Sequence, residues 1–570
     1  MSASYAHIHP YGSARYATDL EIRRAFRAKG GVPFGFHKGR KLTHSKNAGM
    51  LLLGGAGSGK FTSVLAHIMD TPGRSGQPQR YAILDPKREI RAVLEPYFAH
   101  IGARVYEVNP YGIHGVSGQN LSLLAHLTPR SLSLVADSRK AASTFVPEMS
   151  TGDARFFEQK SQNWLDAMMR GLVHLDGGVS PASLYELLGM VRGDHAAWLE
   201  TSDLMASVGE PDLKVTFAEM FQMMEESERT YHSVLGEVAN ALSVMVDPAL
   251  QSTFVETARA DFTLDVLCEE NDAPVFVFFC LPPELIAQSA PLLRQFFSAL
   301  RTLKQRRPSA PTINLVIDEA AQLGTFPEIA EFYSVGRGFG LSPLCAYQSL
   351  GQITKNLGPT GSMTLQASAD LELYLGGGIS DLETARLLSQ KLGNQTLHLE
   401  DRLTQGRARR AKREAVRAAL LGGGDPVKAG MTLKGLEYEA GHTSKMARPL
   451  ATPDEILGMD HDKALVLASS YGIPPFMAEK RPYYAMPAYA GLFAPNPNID
   501  ADVERVLVPT GRGKRRARMI TAPVPEGFAH LPQYRDGFWR FVEGYQPQPA
   551  KPRSRAADLA DRALAMIGLK

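Results

Sequence analysis

Residues Leu51–Ser63 read LLLGGAGSGKFTS, an apolar run that closes in a glycine-rich turn tipped by a lysine. A polyphosphate requires bare backbone N–H groups at close range and a cation at its tip. Gly54, Gly55, Ala56, Gly57, Ser58 and Gly59 form such a loop at the mouth of a helix, and Lys60 supplies the cation. The spacing Gly54-x4-Gly59-Lys60 is that of a P-loop, whereas no G-x-G-x-x-G of a dinucleotide site can be laid over it. The next position departs from the pattern. Phe61 stands where a Ser or Thr would hold Mg2+, and Thr62, one residue late, takes that role only with local adjustment, because a helix turns about 100° per residue. The stretch predicts a nucleoside triphosphate site.

Outward from this loop the chain alternates. The strand before Gly54, a helix over Thr62 to Met69, a Gly/Pro-rich turn over Thr71 to Gln79 and the strand YAILD compose a β-α-β unit. A helical segment from Glu89 to His100 and a strand in ARVYEVNP follow. From about Leu121 to Thr263 helical periodicity takes over, which predicts an all-α insertion, with Met220, Met223 and Met224 as core filler. Short apolar runs then resume at Pro274 to Leu281, Ile313 to Ile317, Leu341 to Tyr347, Leu371 to Leu375 and Lys463 to Ser469, with a helix over Ala290 to Lys304. Runs of this kind fit a parallel sheet buried on both faces.

The strand INLVI ends in Asp318-Glu319, at the sheet edge where ligands of open α/β folds collect. Asp318 is the expected Mg2+ ligand and Glu319 the residue that polarises the attacking water. Downstream, Gln348 closes an apolar strand, where it can sense the γ-phosphate. Arg337, on the turn before that strand, is the candidate for a cation donated to a neighbouring subunit's site.

With 570 residues the chain has room for two or three domains, and 44% hydrophobic with 21% charged residues is the composition of a globular protein. A net charge of +3 identifies no nucleic-acid binder by itself. The three cysteines, Cys268, Cys280 and Cys345, are too few and too scattered for a disulfide framework or a zinc site, and predict a reducing compartment. No apolar window is long enough for a membrane span or a signal peptide. Basic tracts occur at Arg402 to Lys434, with Arg407, Arg409, Arg410, Lys412 and Arg413, and at Gly511 to Arg518. A last amphipathic helix is expected near Ala557 to Ile567.

Five stretches together resemble the coupling-protein ATPases of type IV secretion systems, the conjugative DNA-transfer family. They are GSARYATDLEI, the P-loop, LDPKREI, the run from NLVIDEAAQLG through Gln348, and GGGISDLETARLLSQKLGNQT at Gly376 to Thr396. RPLATPDEI and KRPYY resemble the family's closing elements. The resemblance implies a RecA-like P-loop NTPase core of the α/β class, with a parallel-rich central sheet flanked by helices and an inserted all-α domain. The implied divisions are an N-terminal segment over 1–44, the nucleotide-binding domain over 45–120 and 264–490 with a basic insertion at 402–447, the insertion over 121–263, and a Pro-rich basic extension over 491–570.

The resemblance also implies ATP and Mg2+ as ligands, Lys60, Asp318, Glu319, Arg337 and Gln348 as the catalytic set, and Asp85 and Lys87 beside the nucleotide. A relaxase with single-stranded DNA, or an effector protein, is the implied cargo. The implied partners are inner-membrane secretion components and further copies in a hexamer that forms transiently, which predicts a cytoplasmic protein attached peripherally to the inner membrane. Arg88 replaces the family's usual Gly after Asp-Pro-Lys, and the customary N-terminal anchor is missing from this sequence. Two other readings remain open at this stage: another hexameric DNA pump, and a nucleotide-binding adaptor that recruits cargo with little hydrolysis.

Overall fold

The computed structural model describes residues 9–28, 30–70, 78–148, 152–399, 410–411, 413–414, 416–417, 444–498, 505–510, 513–524, 526, 529, 534 and 537–544. Arg407, Arg409, Lys412, most of the 71–79 turn and the helix expected at 557–567 lie outside the described residues. The main sheet has eleven strands: β1 (Val32–His37), β2 (Arg40–His44), β3 (Met50–Leu53), β4 (Arg80–Leu84), β5 (Arg104–Val108), β6 (Val275–Phe279), β7 (Ile313–Ile317), β8 (Leu341–Tyr347), β9 (Leu371–Leu375), β10 (Lys463–Leu467) and β11 (Phe476–Glu479). Their spatial order is β2-β1-β11-β10-β9-β3-β8-β7-β4-β6-β5.

From β9 to β5 every neighbouring pair is parallel. The strands MLLL, RYAIL, VFVFF and INLVI are buried at every position. Such uninterrupted burial arises when both faces are covered, and alternate residues serve separate cores. Leu51, Leu53, Ala82, Leu84, Leu315 and Ile317 face one; Met50, Leu52, Tyr81, Ile83, Phe276 and Val316 face the other.

The other edge is antiparallel: β10 pairs with β9, β11 with β10, and β1 with β11 and β2. The expected sheet was parallel-rich, and its core was expected to begin after residue 44. Instead β1 and β2, from the stretch expected to be a separate N-terminal segment, extend the sheet. Phe26 anchors them by packing against Phe34, Tyr471 and Phe476.

The insertion begins and ends at a two-stranded parallel neck, Leu121–Ser122 beside Phe262–Thr263. Within it, helices such as Asp153–Asp176, Pro181–Gly193, His195–Val208 and Glu228–Leu242 bury Trp164, Met168, Trp198 and Met205. Met220 is buried and Met223 and Met224 are partly so, as core filler should be. Helix Leu134–Phe145 also docks on Ala290–Arg306 through Gln295 to the Ala141 carbonyl and Arg294 to the Thr144 carbonyl. The insertion is therefore seated on the sheet's helical layer as well as hinged at its neck.

Beyond residue 491 the expected extension contains structure. Arg505–Thr510, Gly513–Pro523 and Phe538–Val542 make a three-stranded antiparallel sheet, one face of which buries Val506, Ala517 and Val542 against Ala485.

Candidate functional site

Four parallel strands deliver the expected site residues to one edge. Leu53, Leu84, Ile317 and Tyr347 end β3, β4, β7 and β8, and are followed by Gly54, Asp85, Asp318 and Gln348. Leu53 lies opposite Tyr347, Ile317 opposite Cys345, and Leu84 opposite Ile317. The lysine-tipped loop and Asp318 are thus separated by one intervening strand, about 10 Å. Lys60 is close enough for its charge to oppose protonation of Asp318.

The loop from Gly54 to Lys60 has its glycines where the backbone demands them. Gly57 and Gly59 adopt φ of 72° and 85°, the left-handed region open to glycine. Ala56 and Gly57 form an exposed crest, while Ser58 is buried. Lys60 Nζ donates to the carbonyls of Gly54 at 2.8 Å and Gly55 at 3.4 Å. The expected helix over Thr62 to Met69 is shorter: an α-turn at Lys60–Ser63, then a 3-10 helix at Leu65–Asp70, divided where Val64 takes ψ of −65° with φ of −130°.

Phe61 leaves the ligand side altogether. Its ring is 7% exposed, lies in the core with Ile22, Val64 and Leu65, and meets Tyr483 at 5.6 Å between centroids. Thr62 is half-buried on the next position of the turn.

Asp318 is half-buried at the sheet edge, and desolvation, then the neighbouring Glu319, push its carboxyl up to about 7. Its Oδ1 is buried without a hydrogen-bond partner. Asp85 is also raised to about 7 by burial, against the two backbone N–H groups of Glu89 and Arg91 that it accepts at 2.9 and 2.8 Å. With both oxygens engaged, Asp85 caps the following turn beside the site. Lys87 is exposed next to it and lowers the Asp318 pKa.

Glu319 holds φ 61°, ψ 46°, a left-handed backbone for a non-glycine residue. Strain of this kind costs about 1–3 kcal/mol and clusters at functional sites. Gln348 Nε2 donates to Glu319 Oε2 at 3.1 Å, so the two residues named from separate strands meet. Arg337 does not join them. It is exposed on helix Gly336–Phe339, which leads into the start of β8, about 20 Å along that strand from Gln348.

The Gly that the family places after Asp-Pro-Lys is explained by Arg88, which sits at φ 54°, ψ 28°. Here a buried pair replaces conformational freedom: Arg88 Nε and Nη2 donate to Glu107 at 2.5 and 3.1 Å.

Sequence reading gave no role to residues that brace the loop. Gly55 N donates to Gly378 O at 2.7 Å, and a Cβ on Gly378 would meet Ser58 Cβ at 2.5 Å, so the two glycine turns interlock. Lys480, 6% exposed, donates to Ser58 O at 2.6 Å and Gly376 O at 2.9 Å. Burial lowers its pKa to about 8. His461 Nε2 lies 3.0 Å from Gly57 O. The GGG and KRPYY stretches are named in the sequence for their resemblance alone, and Lys480, between Glu479 and Arg481, carries no local signal of burial.

These residues suit a magnesium nucleotide. Mg2+ takes one or two carboxylates together with phosphate oxygens, and the unpartnered Oδ1 of Asp318, one strand away from the lysine-tipped loop, is such a donor. Among the described residues no group of three or more His, Cys, Asp or Glu is arranged for a dedicated metal cage.

Residues 16–421 match the family described as Type IV secretory system Conjugative DNA transfer. The chain is 22% identical over 375 residues to the type IV secretion system-coupling protein VirD4 of Bartonella quintana (strain Toulouse), covering 61% of this chain and 53% of that one. It is 23% identical over 205 residues to protein VirD4 of Rhizobium radiobacter, covering 35% and 28%. The chain thus spans about half, or less, of the curated relatives it matches. Among solved structures, the unbound bacterial conjugative coupling protein TrwBdeltaN70 superposes with a TM-score of 0.58 at 17% identity, covering 82% of this chain and 93% of that one. Plasmid coupling protein TrwB in complex with ADP and Mg2+ gives 0.57 at 18%, with the same coverage. At such identities the likeness is one of fold, here an α/β core on a mostly parallel sheet, and the match across residues 16–421 carries the rest: the chain belongs to the type IV secretory system conjugative DNA-transfer family, that of the coupling proteins.

Proposed function

We propose that this chain is an ATP-hydrolysing motor that recruits cargo and passes it to a type IV secretion channel. One observation carries the reading: the buried, unpartnered Oδ1 of Asp318, one strand away from the lysine-tipped loop and next to a strained Glu319 held by Gln348. Bound Mg2+ would neutralise charge on the phosphates, with Asp318 and, after a local shift, Thr62 as its protein donors. The amides of Ala56, Gly57, Gly59 and Lys60 orient the triphosphate, while those of Gly55 and Ser58 are held by Gly378 O and Gly55 O. Lys60 exchanges its loop carbonyls for phosphate oxygens, Glu319 takes a proton from the attacking water, and Gln348 fixes the Glu319 carboxylate and reads the γ-phosphate.

Arg337, exposed and remote from its own site, suits a residue offered to the next subunit, which supports a hexameric ring. Single-stranded DNA with a relaxase, or an effector protein, is the proposed cargo, and the place of work is the cytoplasmic side of the inner membrane beside the secretion components. Among the described residues no helix is long and apolar enough to cross a membrane.

The adaptor reading is favoured by Phe61, which withholds the usual metal ligand. Steady-state hydrolysis with and without single-stranded DNA decides between them. A motor shows DNA-stimulated turnover that falls at least a hundredfold in Lys60→Ala and Glu319→Gln. Equal background rates in all three proteins favour the adaptor.

A further inference from the structure

The C-terminal sheet carries a concentration of charge that the nucleotide site does not use. Residues 505–544 hold eight Lys and Arg against three Asp and Glu, in a chain whose total is only +3. The sheet sorts the described side chains by face. Val506, Ala517 and Val542 are buried inward against Ala485. Arg505 and Arg518 are directly opposed across the first two strands, and Arg516, two residues from Arg518, shares their outward face. All three are exposed. Like charges set opposite each other destabilise a sheet, and none of the three has a side-chain partner among the described residues.

The same face continues into aromatic residues. Phe541 pairs with Ile520 and Trp539 with Ala522. The Trp539 indole, partly exposed, packs on the rings of Phe541 and Tyr534, each at 5.8 Å between centroids and each 7% exposed, so Trp539 is the ring this face offers to a base. Unpaired guanidinium groups about 6.5 Å apart along a strand, the advance of two residues, beside a partly exposed indole backed by buried rings, are the two elements that single-strand binding combines: cations that track a backbone and an aromatic face on which a base stacks.

We infer that the outward face of the 505–542 sheet is a binding site for single-stranded nucleic acid, recognised through its phosphates and base faces without regard to sequence. This gives the DNA cargo of the proposed function a definite surface, and rests on that reading only for the identity of the strand as cargo. A duplex exposes no base faces to Trp539, and an acidic peptide or a lipid headgroup offers nothing to stack.

The test uses the full chain and a labelled mixed-sequence 20-mer, with anisotropy followed over a salt series. Replacing Arg505, Arg516 and Arg518 together by Gln lowers affinity at least tenfold near 0.1 M salt. It also reduces the slope of log K against log salt by about 2, from about 0.7 per lost phosphate contact. Trp164 and Trp198 are 0% and 1% exposed, so quenching of the tryptophan emission by the oligonucleotide reports Trp539. Quenching in the wild type that vanishes in the triple variant supports the site. Unchanged affinity and slope in a folded triple variant overturn it. So does tighter binding to phosphatidylserine vesicles, to a poly-glutamate peptide or to duplex than to the single strand. Lys60→Ala leaves this binding intact, so loss of hydrolysis and loss of the surface are read separately.

Discussion

Restoring the customary P-loop residue should weaken this protein. Phe61 is 7% exposed and packed on Tyr483, which is itself 5% exposed. Removing a buried phenyl ring costs about 3–5 kcal/mol. In Phe61→Ser a hydroxyl enters that apolar site, and if left unpaired adds about 1–3 kcal/mol. At about 2–4 °C per kcal/mol for a large cooperative unit, a loss of about 10–30 °C in Tm is expected. No Mg2+-dependent hydrolysis is gained, because position 61 points into the core. Phe61→Leu, which keeps most of the volume, should lose only a small part of that stability. Circular-dichroism melts and phosphate release at varied Mg2+ check both halves. A Phe61→Ser protein that melts with the wild type, or turns over faster than it at any Mg2+ concentration, refutes the placement of this side chain.

Two further outcomes follow from buried charges near the loop. Lys480 has its pKa lowered by burial to about 8, below the ordinary 10.5. The unfolded chain therefore binds more protons than the folded one between those values, and the contribution to stability rises with pH across that window. The wild type should gain on Lys480→Met between pH 8 and 10 in denaturant titrations, while at pH 7 the variant binds nucleotide about tenfold more weakly for want of its hold on Ser58 and Gly376. Asp318 is raised to about 7, so the proton it keeps in the folded apo state must leave for Mg2+ to bind. The Tm increase produced by Mg-ADP should be larger at pH 8 than at pH 6, and an equal increase at both would contradict it.

The centre of the fold was legible because local sequence and tertiary role coincide there. MLLL, VFVFF and INLVI are strands buried on both faces, and their composition says so without reference to partners. The catalytic edge was legible for the same reason, since Gly54, Asp318 and Gln348 each follow an apolar run directly. The antiparallel edge was not: VPFGFH contains Pro and Gly, and β1 meets β11 through Phe36 opposite Glu479, a pairing no local pattern announces. At the C-terminus, Pro and Arg suggested an appendage, and the alternation of Arg516, Ala517 and Arg518 was obscured by the charge around it. Lys480 has the look of a surface lysine in sequence, and only closure of β11 onto the loop gives it carbonyls to hold. Arg88 was recognised as a departure, but its compensation, Glu107, comes from another strand.

A consequence for timing lies in the bracing of Gly54–Lys60. Gly378, Lys480, His461 and the Phe61–Tyr483 rivet hold this hairpin of amides in shape before any guest arrives. Capture then has little chain to freeze, and arrival can proceed at the pace of diffusion. Any slow stage in the working cycle belongs to departure, or to the meeting of neighbouring copies.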